Sequence, residues 1–190
     1  MPDPHPADAQ VNLKALAALS VFDSEGDPIE LGSLWQNQRA VLAFLPPLTS
    51  LAAEARAKQV GEHLQALRGR GAEVFLLGPS LVMGAVQFED RVAPRCEIYV
   101  DPERLIYRAA GLSKAEKPKT KTTLFLRSMK NLLGVSSEDI REGIELGGLL
   151  VVAPPGRLLY AHACENVDAP LPLEEADAAL KNAGWGHLSG

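Results

Sequence analysis

Ala40-Val41-Leu42-Ala43-Phe44-Leu45-Pro46-Pro47-Leu48-Thr49-Ser50-Leu51-Ala52-Ala53-Glu54 is the stretch on which the fold turns. Residues 40–45 are apolar without interruption over the length of a strand, the pattern of a strand buried on both faces. Pro46-Pro47 ends that strand, because neither proline can donate to a ladder. Thr49 or Ser50 is then placed to cap a helix. Helix formers fill residues 51–67, with apolar positions at Val60, Leu64 and Leu67, and Gly69 and Gly71 stop the helix. Glu73-Val74-Phe75-Leu76-Leu77 reads as a second buried strand. Strand, helix and strand within 38 residues form a βαβ unit with a right-handed crossover. The expected class is therefore α/β, a central mixed β-sheet flanked by helices.

On the N-terminal side, Val21-Phe22-Asp23 and Pro28-Ile29-Glu30-Leu31 flank Ser24-Glu25-Gly26-Asp27, an N-terminal β-hairpin with Gly26 in its turn. A helical turn through Ser33-Leu34-Trp35 follows. Downstream, residues 82–92 read as a helix and Glu97-Ile98-Tyr99-Val100 as a short strand. Asp101-Pro102 opens a further helix to about Ala110, with Pro102 at its first position. Gly147-Gly148 introduces the hairpin Leu149-Leu150-Val151-Val152-Ala153, Pro154-Pro155-Gly156, Arg157-Leu158-Leu159-Tyr160-Ala161-His162. A closing helix begins at Glu174-Glu175 and runs through Leu180. No repeat or low-complexity linker interrupts the chain. One domain over residues 17–184 is expected, with a disordered or loosely attached arm over 1–16 and a tail over 185–190.

Composition narrows the function classes. The chain has 190 residues, 46% hydrophobic and 23% charged, enough to bury a core without a metal or disulfide staple. A net charge of −5 and a pI near 5.4 argue against nucleic acid and anionic membrane surfaces as partners. The longest apolar runs, such as 149–155, fall far short of the ~20 residues of a membrane span. Residues 1–10 hold three prolines, two aspartates and a histidine, not the basic and apolar regions of a secretory signal. The expected location is cytoplasmic, where Cys96 and Cys164 stay reduced. Residues 114–130 stand apart: five lysines and one arginine against one glutamate leave the rest of the chain at −10.

Three separate stretches carry a resemblance. They are Leu34-Trp35-Gln36-x-x-Arg39-Ala40-Val41-Leu42-Ala43-Phe44-Leu45, Tyr99-Val100-Asp101-Pro102-Glu103-Arg104-Leu105-Ile106-Tyr107-Arg108-Ala109-Ala110-Gly111-Leu112, and Leu146-Gly147-Gly148-x-x-Val151-Val152 with Gly156-Arg157-Leu158-Leu159-Tyr160-Ala161-His162. In order and spacing they resemble the peroxiredoxin-like AhpC/TSA family of the thioredoxin-fold superfamily, in the branch that includes prostamide/prostaglandin F synthase. The likeness runs over residues 21–180 and implies a thioredoxin-like (peroxiredoxin-like) fold and antioxidant thiol chemistry at the first strand-to-helix junction. Peroxiredoxins end a Pro-x-x-x-Thr/Ser-x-x-Cys motif there, and the peroxiredoxin-like branch carries Cys-x-x-Cys. A helix N-terminus suits either, since its free N–H groups stabilise a thiolate. Here the spacing survives as Pro46, Ser50 and Ala53, so Ala53 stands at the peroxidatic position and Ser50 at the other cysteine's. An alanine methyl attacks no peroxide, and a serine hydroxyl does not cycle through sulfenic acid. The resemblance therefore implies a redox-inactive relative.

Each candidate residue has a plain reading beside its functional one. Cys96 is a small packed hydrophobe, or a relocated thiol favoured by Arg91 and Arg95 nearby in sequence. Cys164, beside Glu165, reads as unreactive, because nearby acids raise a thiol's pKa. In the sheet order that the resemblance implies, the strand after Cys96 lies at one edge and the 157–162 strand at the other. Four strand spacings then separate the cysteines, too far for a disulfide. Thr49 and Ser50 cap their own helix, or with Pro46, Gly147 and Gly148 they form a site for a small anionic ligand. Lys117, Lys119, Lys121 and Arg127 form a solvated loop and helix face starting near Thr122, or an anion patch that also favours homodimer contacts. His5, His63, His162 and His187 show no metal-ligand spacing, and neither a metal nor a cofactor is expected. The reading on these grounds is a partner-binding or ligand-binding protein, with a thiol oxidoreductase working through Cys96 as the alternative.

Overall fold

The computed structural model describes residues 11–112 and 145–184. Seven strands form one sheet: β1 (Ser20–Phe22), β2 (Pro28–Glu30), β3 (Arg39–Phe44), β4 (Ala72–Gly78), β5 (Glu97–Val100), β6 (Gly148–Ala153) and β7 (Arg157–Ala163). Their spatial order is β2-β1-β5-β4-β3-β6-β7. β3, β4 and β5 are parallel, while β6 and β7 close one side and β1 and β2 the other, all antiparallel to their neighbours. The helices are α1 (Leu13–Ala17), α2 (Leu51–Gly69), α3 (Val82–Val92), α4 (Leu105–Ala109) and α5 (Leu173–Asn182), with a 3-10 turn over Leu31–Trp35.

The uninterrupted apolar run of β3 has a direct cause, since successive side chains point to opposite faces. Val41, Ala43 and Leu45 join the core under α2, α3 and α5. Ala40, Leu42 and Phe44 join a second core under α1, α4 and the 3-10 turn, together with Trp35 and Tyr107. β6 divides its residues in the same way, Leu149 and Val151 to the first core, Leu150 and Val152 to the second. Burial on both faces leaves no polar side of the sheet on which to alternate.

The hairpin turn behaves as its sequence predicts. Gly26 has φ +92°, and the Asp23 carboxylate accepts from the Glu25 and Asp27 N–H groups at 3.0 and 2.8 Å.

Three expectations change. The ordered domain starts before residue 17: Leu16 on α1 is fully buried, and the Asn12 N–H bonds to Ala109 O. β5 is not an edge strand, because Val100 pairs with Phe22 and the hairpin β1–β2 extends the sheet past it. The four-strand separation of β5 from β7 stands, and both cysteines are free thiols. The helix after β5 begins at Leu105, not Pro102. Arg104 adopts a left-handed conformation at its N-cap, and the Asp101 carboxylate reaches forward to accept the Ile106 N–H at 2.8 Å. Asp101 therefore caps across a loop and not from the residue before the helix. The basic patch Lys117, Lys119, Lys121 and Arg127, and the helix expected from Thr122, lie outside the described residues.

Candidate functional site at the first strand-to-helix junction

β3 ends at Phe44, flanked by Leu77 of β4 and Gly148 of β6. The chain then folds over the end of the sheet. The Leu45 N–H still bonds to Leu77 O at 2.8 Å, and the Ser50 N–H turns back to Pro47 O at 2.8 Å. Leu48 lies flat over β4, so close that a Cβ added at Gly78 would stand 2.4 Å from a Leu48 methyl. From α3, Arg91 braces the turn, with Nη2 donating to Leu48 O at 2.8 Å and Nε to Glu54 at 2.9 Å. From below, the Tyr107 hydroxyl bridges Leu45 O and Leu77 O at 2.7 and 2.9 Å, its ring edge-on to Phe44.

Ser50 is the N-cap of α2. Its hydroxyl accepts the Ala53 N–H at 3.1 Å, and both residues are completely buried. That bond satisfies one of the N–H groups that a helix N-terminus leaves without an intrahelical partner. Pro46 is buried as well, and only Thr49 among the junction candidates reaches solvent. Gly147 and Gly148 sit opposite, also buried. At Gly147, with φ +75°, a Cβ would fall 2.1 Å from Phe44 O, and at Gly148 one would fall 2.2 Å from His162 O. Close backbone approach explains both glycines.

Arg56 is the residue that sequence reasoning missed. It occurs on α2 in phase with Ala53, Ala57, Val60 and Leu64, the buried stripe, and only 3% of it is exposed. Its guanidinium donates to four backbone carbonyls: Leu146 O, Asn166 O, Val167 O and Ala169 O. One cation thus ties the helix to the segment entering β6 and to the loop leaving β7. Burial lowers its pKa, against the pull of Cys164, Tyr107 and Asp168. Beside it, a groove of about 420 Å³ runs between Leu51, Ala52 and Ala55 of α2 and Val167, Ala169 and Pro170 of the loop.

One thiol lies beside the junction and the other at the far end of the sheet. Cys164 is buried, its N–H donating to Gly147 O at 3.1 Å. Burial raises its pKa and Arg56 partly offsets that, so desolvation rather than neighbouring acid quiets this thiol. Cys96 precedes β5, at the end of the parallel strands away from the junction. It lines an open cavity of about 670 Å³ with Ser33, Gln38, Arg68, Glu73 and Arg95. Burial first, then Glu73 and Glu97, push its pKa up to about 11, against the pull of Arg68. The cation that acts on it is Arg68, itself held by Glu73 at 2.6 Å; of the two expected, Arg95 lines the same cavity and Arg91 is turned towards Glu54. His162 lies on β7 opposite Leu149. Among the described residues no group of three or more His, Cys, Asp or Glu side chains is placed to hold a metal ion.

A mixed sheet of this order, with α2 springing from the end of a central parallel strand, defines the thioredoxin fold in its peroxiredoxin form. Solved structures agree. Peroxiredoxin Q of Xanthomonas campestris superposes with a TM-score of 0.65 at 16% identity, covering 89% of this chain and 93% of that one. Peroxidoxin BcpB from Mycobacterium tuberculosis gives 0.64 at 15% identity, covering 86% and 92%. Within that fold the chain belongs to the AhpC/TSA antioxidant enzyme family, whose model matches residues 58–166. The matched span begins after Ser50 and Ala53. Relatives include prostamide/prostaglandin F synthase of Danio rerio, 26% identical over 90% of this chain and 89% of that protein. Peroxiredoxin-like 2C of Homo sapiens is 24% identical over 97% and 85%. The chloroplastic thioredoxin-like protein AAED1 of Arabidopsis thaliana is 26% identical over 85% and 69%.

Proposed function

We propose that this chain is a redox-degenerate AhpC/TSA domain that works by binding a partner at the junction face rather than by reducing peroxides. The observation that carries this reading is Ala53, a fully buried methyl at the thiol position of the motif. The thiol beside the junction, Cys164 against Gly147, is buried, and desolvation raises its pKa away from the thiolate that peroxide chemistry needs. The competing reading, an oxidoreductase working through Cys96, needs a thiolate near neutral pH, and a pKa of about 11 opposes it.

The kind of ligand follows from burial. Pro46, Ser50, Gly147 and Gly148 are closed to solvent, while Thr49 and the 62%-exposed Leu51 stand on the surface beside the apolar groove. This favours a protein partner over the small anion, for which the capped helix terminus offers little. The partner so proposed is neither a nucleic acid nor a membrane, and the charge split along the chain makes a second copy one candidate. In the cytoplasmic setting that belongs to this proposal both thiols remain reduced.

Peroxide consumption with a thiol reductant tests the reading in the native chain and in Cys96→Ser. No turnover above background is expected from either. Turnover in the native chain that Cys96→Ser abolishes would establish the competing reading.

A further inference from the structure

We draw no further inference here: the strongest candidate, the exposed apolar patch of Leu51, Leu81, Met83 and Val86 on and next to the first turns of α2 and α3, has nothing in the structure to show what covers it.

Discussion

The two ends of the parallel strands hold complementary halves of a thiol site. At the junction end, α2 presents its N-terminus, where backbone N–H groups and the helix dipole favour negative charge, but the side chains are Ser50 and Ala53. At the other end Cys96 supplies a sulfur, yet it leads into a strand, beside Glu73 and Glu97 and near the last turn of α2, the negative end of the helix. The sulfur at the junction end, Cys164, is buried and its pKa is raised by desolvation, so neither end joins an accessible thiol to a field that would ionise it. The comparison teaches that a cysteine's presence in this fold says little until its end of the sheet and its burial are known.

Arg56 sharpens the contrast most. It braces only the junction end, and its removal strands four carbonyls in a buried site. Arg56→Leu should cost about 3–5 kcal/mol in denaturant unfolding, as for other broken buried charge networks. Amide exchange should rise at residues 145–147 and 166–169 before it rises around Cys96. Equal loosening at both ends would mean that the brace is not local.

Proton linkage probes the opposite end. The folded pKa of Cys96 is raised from 9.0 to about 11, so its stabilising contribution is fully present below pH 9 and is lost as pH climbs through 11. The loss amounts to about 2–3 kcal/mol between those limits. Tyr99 and Tyr107, also raised by burial, add to the alkaline slope, so the difference between native protein and Cys96→Ala isolates the thiol. Superimposable pH–stability curves for the two would remove desolvation as the reason for its quietness.

The smallest expected effect is at the cap. Ser50→Ala leaves the Ala53 N–H without its side-chain partner and should cost about 1–2 kcal/mol, read from the urea midpoint at constant m-value. A neutral result would show that the hydroxyl does not spend that N–H, and would reopen the helix terminus as an anion site.

Most of the architecture was legible because it rests on local patterns. The unbroken apolar runs of β3 and β4, the proline stop after Leu45 and the glycine stops after α2 each fix an element without long-range information. What escaped depends on contacts between distant segments. An arginine on a long helix reads as a solvated side chain, and only its phase with Ala53, Ala57 and Val60 hinted that Arg56 points inward. Gly147 and Gly148 read from sequence as part of an anion site, and only the positions of Phe44 O and His162 O show that close backbone approach requires them. The start of the helix after β5 reads too early from sequence because Asp101 caps from five residues away, through a left-handed Arg104. Leu16 reads as part of the arm because its partners lie in the second core, far along the chain.

The pH dependence of alkylation at each cysteine tests the central claim, that no thiol in this chain is activated. Iodoacetamide labelling of Cys96 and Cys164, followed site by site by mass spectrometry from pH 6 to pH 11, would read their ionisation directly. Negligible labelling of the folded protein is expected at pH 7, with a Cys96 rate still rising above pH 10. Rapid labelling of Cys96 between pH 6 and 7 would overturn this and place an active thiol at the end of the sheet where α2 presents its negative terminus.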